Sequence, residues 1–343
     1  MVTLKEVMLH AVRKDHINIL PDRFEKVYMN WIENLRPWNI SRQIWFGHQV
    51  PVWYKDGEIH VDIKAPEGEG WVRDEDTLDT WFSSGLWTFS TLGWPHDTDD
   101  FRTYHPTQVL ETGHDLIFFW VARMILMSLY HLSDIPFETV YMHGLIRDDK
   151  GRKMSKSLGN IVDPRDLTKK YGTDALRMGI IVGNGPGNDV NLDENKIKAY
   201  SKFANKLWNI TRFVLTETQD LDTEVEYQEE DKELIKQHID FFTEIGKEMD
   251  EYKFYIVGEK LYHYAWHTFA DEILEKTKAI FETGSKEEIA SRKKLLLRFL
   301  KDILRGLHPF MPFITEEIWK DVPHAENDRP LLMIEHWPTH KDY

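Results

Sequence analysis

Cysteine is absent from the 343-residue sequence. A chain without thiols forms no disulfide bond and no zinc site built on thiolates, so we expect no zinc. The sixteen histidines are not spaced with carboxylates in a metal-ligand pattern, so we predict no metal site. The sequence also lacks an apolar run of membrane-spanning length and an amino-terminal secretion signal. We therefore expect a soluble, cytoplasmic protein with no membrane partner.

Positive charge is scarce as well. Lys and Arg number 43 against 58 Asp and Glu, which gives a formal net charge of −15. This balance argues against a general affinity for nucleic acid. Much of the excess lies between residues 217 and 251, where fourteen acidic residues accompany three lysines. We interpret that segment as a solvated loop followed by the outer face of a helix.

Aromatic residues are plentiful, at 13% of the chain, and the length predicts two domains with apolar cores. From about residue 36 to residue 192, short apolar runs alternate with helical patterns. This alternation predicts an α/β domain with a doubly wound parallel sheet. The predicted strands contain residues 109–110, 140–141 and 178–182, and the predicted helices span residues 116–130 and 164–176.

From residue 193 to residue 343 the apolar spacing is helical and predicts an all-α bundle. Residues 1–35 look like a connector with a helix that starts near Pro21. Residues 55–62 are predicted to form a short charged hairpin. One apolar face of the first bundle helix would contain Ile197, Tyr200, Ala204, Leu207, Trp208 and Thr211.

The segment 150–160 carries two lysines three residues apart, Lys153 and Lys156, with Ser155 and Ser157 beside them. Cations on a loop that can close are suited to neutralise the charge that develops on a leaving pyrophosphate. We therefore predict a phosphate-handling loop with these four residues as catalytic candidates. The alternative is a solvated basic turn, because Gly, Ser and Lys are common in surface loops.

The surroundings of this loop favour the first interpretation. A short apolar run, residues 140–146, has the pattern of a buried strand, and residues 163–164 open a helix after the loop. In this setting the string Lys-Met-Ser-Lys-Ser resembles the signature of class I aminoacyl-tRNA synthetases. Other segments resemble the valine-specific members of that family in the same order along the chain, namely residues 38–43, 79–87, 89–95, 112–115 and 118–124.

The resemblance implies a domain organisation and an activity. Residues 1–35 would be a connector after an editing insertion, residues 36–192 the second half of a Rossmann-like catalytic domain, and residues 193–343 a helical anticodon-binding domain. The implied reaction is activation of valine with ATP and Mg²⁺, followed by transfer to tRNA-Val, and a monomer is expected. Two other functions stay open: an isoleucine-specific synthetase, and a tRNA-binding module without catalysis.

The resemblance also implies site residues. The two loop lysines would neutralise the β and γ phosphates, and the two serines would add donors. Trp81 would form a wall of the pocket for the valine side chain, and Leu116 would limit the length of the side chain that fits. Both residues could instead be core residues. Asp115 could instead cap a helix, and His114 lies where an aromatic residue is expected in relatives. The residues implied to contact ATP or the adenylate are Gly113, Asp115, His143, Gly144, Met154 and Lys156.

The sequence departs from the family pattern in two places. Class I synthetases carry a His-x-Gly-His element that stabilises the ATP phosphates, and no such string occurs here. The string Trp45-Phe46-Gly47-His48 comes nearest but lacks the first histidine. No editing domain is recognisable. We therefore expect a carboxy-terminal fragment that is inactive alone and does not proofread threonine.

Basic residues at helical spacing are candidates for contact with tRNA. They could guide the RNA locally, or they could belong to ordinary solvated faces. Arg42 and Gln43 lie in an aromatic stretch, and we favour a structural role for them over contact with the acceptor end of tRNA. The predicted tRNA-binding stripe consists of Lys294, Arg298, Lys301 and Arg305, and a second stripe consists of Lys198, Lys202 and Lys206.

Overall fold

A computed structural model describes residues 3–14, 16–221, 225–325 and 328–339. The chain divides into two compact units, Met1–Leu145 with Pro186–Asp189 and Ile146–Gly185 with Val190–Tyr343. The domain divisions predicted after residues 35 and 192 stay predictions and differ in position from these contact-based boundaries. The reason is that sequence patterns mark changes of secondary-structure type, whereas compact units depend on contacts between distant segments.

The first unit combines a parallel sheet with helices and two small antiparallel sheets. A 3₁₀ turn, His114–Leu116, and a π-helical segment, Ile117–Val121, lead into the helix between β7 and β8. The elements in chain order are α1 (Leu4–Arg13), β1 (Asn18–Leu20), α2 (Arg23–Glu33), β2 (Ser41–Arg42), β3 (Val52–Lys55), β4 (Glu58–Val61), β5 (Val72–Arg73), β6 (Thr77–Leu78), α3 (Thr80–Ser84), α4 (Trp87–Ser90), α5 (Asp99–Tyr104), β7 (Thr107–Gly113), α6 (Ala122–His131) and β8 (Phe137–His143).

The parallel sheet has the order β1-β8-β7. Val140 lies opposite Ile19 on one side and opposite Leu110 on the other, and all three side chains are buried. The predicted parallel α/β fold is therefore confirmed. Residues 1–35, predicted as a connector with a helix, contain that helix and also contribute β1 to this sheet and the buried faces of α1 and α2 to its core.

The charged hairpin predicted at residues 55–62 is also confirmed. Strands β3 and β4 pair antiparallel, with Lys55 opposite Glu58. The two residues between them, Asp56 and Gly57, have φ values of 50° and 85°. Positive φ at both central positions is the backbone geometry of a two-residue hairpin turn whose twist matches that of the strands.

The second unit begins with a short strand that precedes the lysine loop and continues as helices. A π-helical segment, Tyr264–Leu274, joins two of these helices, and 3₁₀ turns cover Lys156–Leu158 and Leu332–Ile334. The other elements are β9 (Ile146–Arg147), α7 (Pro164–Tyr171), α8 (Thr173–Ile181), β10 (Val190–Asn191), α9 (Glu194–Glu217), α10 (Glu229–Asp250), α11 (Phe254–His263), α12 (Glu275–Thr283), α13 (Lys286–Leu307) and α14 (Pro312–Trp319).

The predicted helical bundle is confirmed, with two corrections. Residues 178–182, predicted as a strand, form the end of α8 and the residue after it, because this apolar run packs against α9 as a buried helix. Short apolar runs do not distinguish these two structures by periodicity. Trp208 is not on the buried face of α9 and is 45% exposed, whereas Phe203 and Ile210 are buried there.

Candidate active-site segments

The carboxyl ends of β7 and β8 bring two predicted adenylate residues together. Gly113 pairs with His143 across the two strands. A Cβ atom at position 113 would lie 2.8 Å from Oδ1 of Asp115, so a side chain at that position would displace this carboxylate. Asp115 is exposed and lies inside the 3₁₀ turn rather than at its amino-terminal cap, which removes the capping alternative. This end of the sheet therefore presents an exposed carboxylate beside a glycine that has no side chain.

The segment after β8 is held by residues 186–189. A Cβ atom at Gly144 would lie 1.8 Å from the carbonyl oxygen of Asn188, so only glycine fits there. His114 stacks on Phe24 with ring centroids 5.5 Å apart, and its Nε2 lies 3.1 Å from Oδ1 of Asp189. His114 therefore packs as an aromatic residue would and also contacts a carboxylate.

The predicted valine-pocket residues are half-buried and lie outside both apolar core clusters. This placement does not match the alternative in which Trp81 and Leu116 are core residues. Trp81 contacts Phe119 with ring centroids 5.6 Å apart. Phe119 is itself 49% exposed and was not among the predicted site residues. An accessible aromatic surface therefore lies beside the turn that carries Asp115.

Trp81 is positioned by a buried carboxylate, Asp79. Its oxygens accept hydrogen bonds from Trp38 Nε1 at 2.8 Å, from Arg42 Nη2 at 2.6 Å and from the backbone amide of Trp81 at 3.3 Å. The structural role predicted for Arg42 is confirmed by this ion pair. Gln43, in contrast, is exposed.

The lysine loop, residues 150–160, extends from a tight hairpin in the second unit. Strand β9 pairs in parallel with β10, and Arg147 forms an isolated antiparallel bridge with Lys153. Between them, the amide of Gly151 donates to the carbonyl of Asp148 at 3.0 Å, and Gly151 has a φ of 75°. The loop is therefore anchored to a strand at its base.

Two residues that were not predicted from the sequence, Asp148 and Asn160, organise this loop. Asp148 is buried, and its carboxylate accepts from the amides of Lys150 and Arg152 at 3.1 and 2.7 Å and from the side-chain amide of Asn160 at 2.9 Å. The Asn160 amide, with the groups of Arg152, holds the pKa of Asp148 well below its usual range. An acid three residues before a glycine and an asparagine directly after a glycine were the available sequence signals.

The two lysines themselves are exposed, and Met154 and Ser155 between them are half-buried. The hydroxyl of Ser155 lies 3.2 Å from that of Ser157 and accepts from the amide of Leu158 at 3.3 Å. The ammonium groups thus extend from an ordered backbone, and that arrangement can neutralise an approaching anion.

Comparison with known proteins identifies the family. The family model described as tRNA synthetases class I (I, L, M and V) matches residues 1–73 and 60–193, and the model of the anticodon-binding domain of tRNA ligase matches residues 231–343. The chain belongs to the class I tRNA synthetases. The sequence resemblance is therefore confirmed for both parts of this synthetase chain.

Curated relatives of this synthetase chain are valine--tRNA ligases. The enzyme of Bacillus licheniformis is 45% identical over 331 residues, which cover 94% of this chain and 37% of that protein. The enzyme of Dehalococcoides mccartyi is 47% identical over 329 residues, which cover 93% of this chain and 37% of that protein. The synthetase chain thus spans a little over a third of the length of these relatives.

Solved synthetase structures share the fold. A methionyl-tRNA synthetase of Mycobacterium tuberculosis in complex with methionyl-adenylate has a TM-score of 0.76 at 19% identity, covering 95% of this chain and 62% of that chain. A leucyl-tRNA synthetase of Agrobacterium radiobacter, in a ternary complex with tRNA, has a TM-score of 0.70 at 21% identity, covering 94% of this chain and 46% of that chain. These likenesses support the Rossmann-like region followed by a helical region.

The predicted tRNA-binding stripe of the synthetase chain is not an exposed ridge. Lys301 is 8% exposed and lies 2.5 Å from Oδ2 of Asp328, and Arg305 contacts Asp302 and Asp328 at 3.3 and 3.2 Å. Lys294 donates to a backbone carbonyl, that of Val225, at 2.8 Å. Arg298 is partly buried beside Asp302 at 3.3 Å. These four side chains are therefore engaged within the protein, by acids from elsewhere in the fold or one helical turn away and by a carbonyl group, and their contact with tRNA stays a prediction.

No group of three or more His, Cys, Asp or Glu side chains in the described ranges of this synthetase chain is arranged to hold a metal ion. None of the helices formed by the described residues is long and apolar enough to cross a membrane.

Proposed function

We propose that this chain is a carboxy-terminal portion of a valine--tRNA ligase, which activates valine with ATP and transfers it to tRNA-Val. The observation that carries the proposal is the pair of exposed lysines, Lys153 and Lys156, on an ordered loop in a chain 41–47% identical to valine--tRNA ligases. The Rossmann-like region, with residues 36–192 as its predicted second half, would hold ATP and valine, and residues 193–343 would bind the anticodon region.

The chemistry requires charge stabilisation more than covalent catalysis. The valine carboxylate attacks the α-phosphorus of ATP, and pyrophosphate leaves with its negative charge increased. Lys153 and Lys156 would bind the leaving phosphates, while the hydroxyls of Ser155 and Ser157 would add hydrogen bonds. Mg²⁺ would arrive with ATP as part of the substrate and supply further positive charge at the phosphates.

The remaining site residues belong to the same proposal. The exposed carboxylate of Asp115 beside Gly113 would receive the ribose or the ammonium group of valine, and Trp81 with Leu116 would contact the valine side chain. Two further adenylate contacts would come from the chain after β8, at His143 and Gly144, and Met154 would contact the nucleotide from the loop. Catalysis by a monomer in the cytoplasm completes the proposal and rests on the family.

Amino-acid-dependent exchange of pyrophosphate into ATP tests this function. The assay is run on the longer polypeptide of which this chain is the proposed portion, since the portion alone is expected to be inactive. We expect valine to support exchange better than isoleucine, and Lys156→Ala to reduce the rate about 100-fold, since one such contact is worth about 3 kcal/mol in the transition state. The matched control is Lys150→Ala, an exposed lysine of the same segment.

Two results would contradict the proposal. Exchange that prefers isoleucine would change the substrate, and equal loss in the Lys150→Ala control would show that general charge, rather than the Lys156 contact, governs the rate.

A further inference from the structure

Asp148 and Asn160 lie on either side of the loop that carries the two lysines. We propose that these two side chains form a clamp that positions Lys153 and Lys156 for the departing phosphates. The inference rests on the proposed function, and it assigns positioning roles to residues that do not themselves contact the phosphates.

The carboxamide of Asn160 uses its donor and acceptor atoms inside the loop. Its Nδ2 donates to Oδ2 of Asp148 at 2.9 Å and to the carbonyl of Lys153 at 3.2 Å. Its Oδ1 accepts from the amide of Ser155 at 2.9 Å. The side chain therefore fixes the backbone on both sides of Met154. A residue that only donates or only accepts does not satisfy this set.

Asp148 holds the other end of the clamp. Its side chain is 5% exposed and accepts from two backbone amides, from Nε of Arg152 at 2.8 Å and from Asn160. A buried carboxylate surrounded by donors keeps one geometry, because each donor it releases leaves charge without a partner. Asp148 follows β9 directly, so the clamp ties the loop to a strand.

The clamp acts on the lysines through the backbone. It orders the carbonyl of Lys153 and the amide of Ser155, the residue before Lys156, while both lysine side chains stay exposed. A loop that is ordered before substrate binds loses less conformational entropy when its cations grip phosphate. Loss of the clamp should therefore weaken phosphate binding without removing any positive charge.

The test uses tripolyphosphate as the probe and titrates it against this chain by calorimetry. Asp148→Asn and Asn160→Ala are each expected to weaken binding of tripolyphosphate at least fivefold. Asp148→Asn should also increase deuterium exchange at the amides of Lys150 and Arg152 about tenfold. Asn160→Ala should increase it about tenfold at the amide of Ser155. The matched control is Asp149→Asn, an exposed acid next in sequence. It removes the same charge and, by reducing repulsion, should tighten binding slightly.

The control separates position from charge. If Asp148 acted only as a negative charge, Asp148→Asn would tighten binding as Asp149→Asn does, and that result would overturn the clamp. Unchanged exchange and affinity in Asn160→Ala would also overturn it. Circular dichroism melting of each variant identifies global unfolding, and Asn160→Ala still tests the clamp if Asp148→Asn does not fold.

Failure of the proposed function gives a different pattern. If the wild-type chain binds tripolyphosphate no better than a Lys153→Ala/Lys156→Ala variant, the phosphate role of the lysines is wrong. Deuterium exchange then still reports whether Asp148 and Asn160 order the loop. If the wild type binds through the lysines and the clamp variants bind equally well, only the clamp is wrong.

Discussion

Single buried polar side chains hold several parts of this chain in place. Asp79 links Trp38, Arg42 and the backbone of Trp81. In the second unit, Asp174 accepts from the amides of Phe313 and Ile314 at 3.2 and 2.7 Å and so caps α14. Removing one partner of a buried polar group costs more than the hydrogen bond itself, because the other partner stays desolvated. Each of these carboxylates therefore fixes the local geometry of the groups that donate to it.

His238 provides a test at the same scale. It is buried, stacks on Phe299 at 3.8 Å, and its Nδ1 and Nε2 lie 2.5 Å from the Tyr264 hydroxyl and 3.3 Å from Asp302. Burial lowers the pKa of His238 from 6.5 despite the nearby Asp302. As the pH falls, His238 is therefore protonated in the unfolded chain at a higher pH than in the folded protein. The contribution of the neutral histidine to stability is present above pH 6.5 and is lost as the pH falls below it.

We expect the free energy of unfolding of the wild type to fall below pH 6.5 by up to about 1.4 kcal/mol per pH unit from this residue. His238→Gln should be less stable at pH 7.5 and show a shallower pH slope in denaturant titrations. His336→Gln, at an exposed position, should keep the wild-type slope. Equal slopes in all three proteins would contradict the assignment.

At the scale of elements, close approach of helices decides what the apolar runs become. Gly179 lies in α8, where a Cβ atom would be 2.8 Å from Cγ1 and 3.4 Å from Cα of Ile197 in α9. The absence of a side chain lets the two helices pack closely, which explains why this segment is a helix rather than the predicted strand. A helical glycine costs about 1 kcal/mol relative to alanine, and here packing offsets that cost.

Two glycine-to-alanine variants compare this packing with helix propensity. Gly179→Ala should destabilise the protein by about 1–3 kcal/mol, because the new methyl group overpacks the α8–α9 contact. Gly246→Ala in α10 should be neutral or stabilising by up to about 1 kcal/mol, because its Cβ atom would meet only the edge of the Trp337 indole, with Nε1 at 3.2 Å. Thermal unfolding measures both, and equal stabilities would show that α9 adjusts to the added methyl group.

At the scale of the whole molecule, the two stripes of basic residues differ in how far their side chains are engaged within the protein. The chain carries a formal charge of −15, and the stripe formed by Lys294, Arg298, Lys301 and Arg305 is engaged internally. On α9, Lys198 and Lys202 are exposed, while Lys206 pairs with Asp271 at 3.2 Å. An acidic protein that binds RNA must do so through such local cations.

Charge reversal distinguishes the two stripes. Lys198→Glu with Lys202→Glu should leave the melting temperature near that of the wild type, weaken binding of transcribed tRNA-Val, and lower the salt slope of log affinity by about 2. Lys301→Glu should instead destabilise the fold, because it places a second carboxylate beside Asp328, whose side chain is only 9% exposed. Filter binding over a salt series and thermal melting report both effects. Salt-insensitive binding by the wild type would contradict a role for α9 in RNA contact.

Local features were predictable from sequence. The hairpin turn at Asp56 and Gly57 follows from residues that accept positive φ, and the helix start at Asp163 and Pro164 follows from capping preferences. The family and the lysine loop could be recognised because their motifs are contiguous strings. In each case the deciding atoms are a few residues apart along the chain.

The tertiary structure decided whatever depends on a distant partner. The predicted basic stripe turned inward because Asp328, remote from α13 in sequence, neutralises Lys301 and Arg305. The segment 178–182 is helical up to Ile181, and Gly179 lets α9 pack closely against it. Strand β1 belongs to a sheet because β8 pairs with it. Residue order along the chain determines local backbone preference and motif identity, whereas burial and charge pairing depend on segments that only folding brings together.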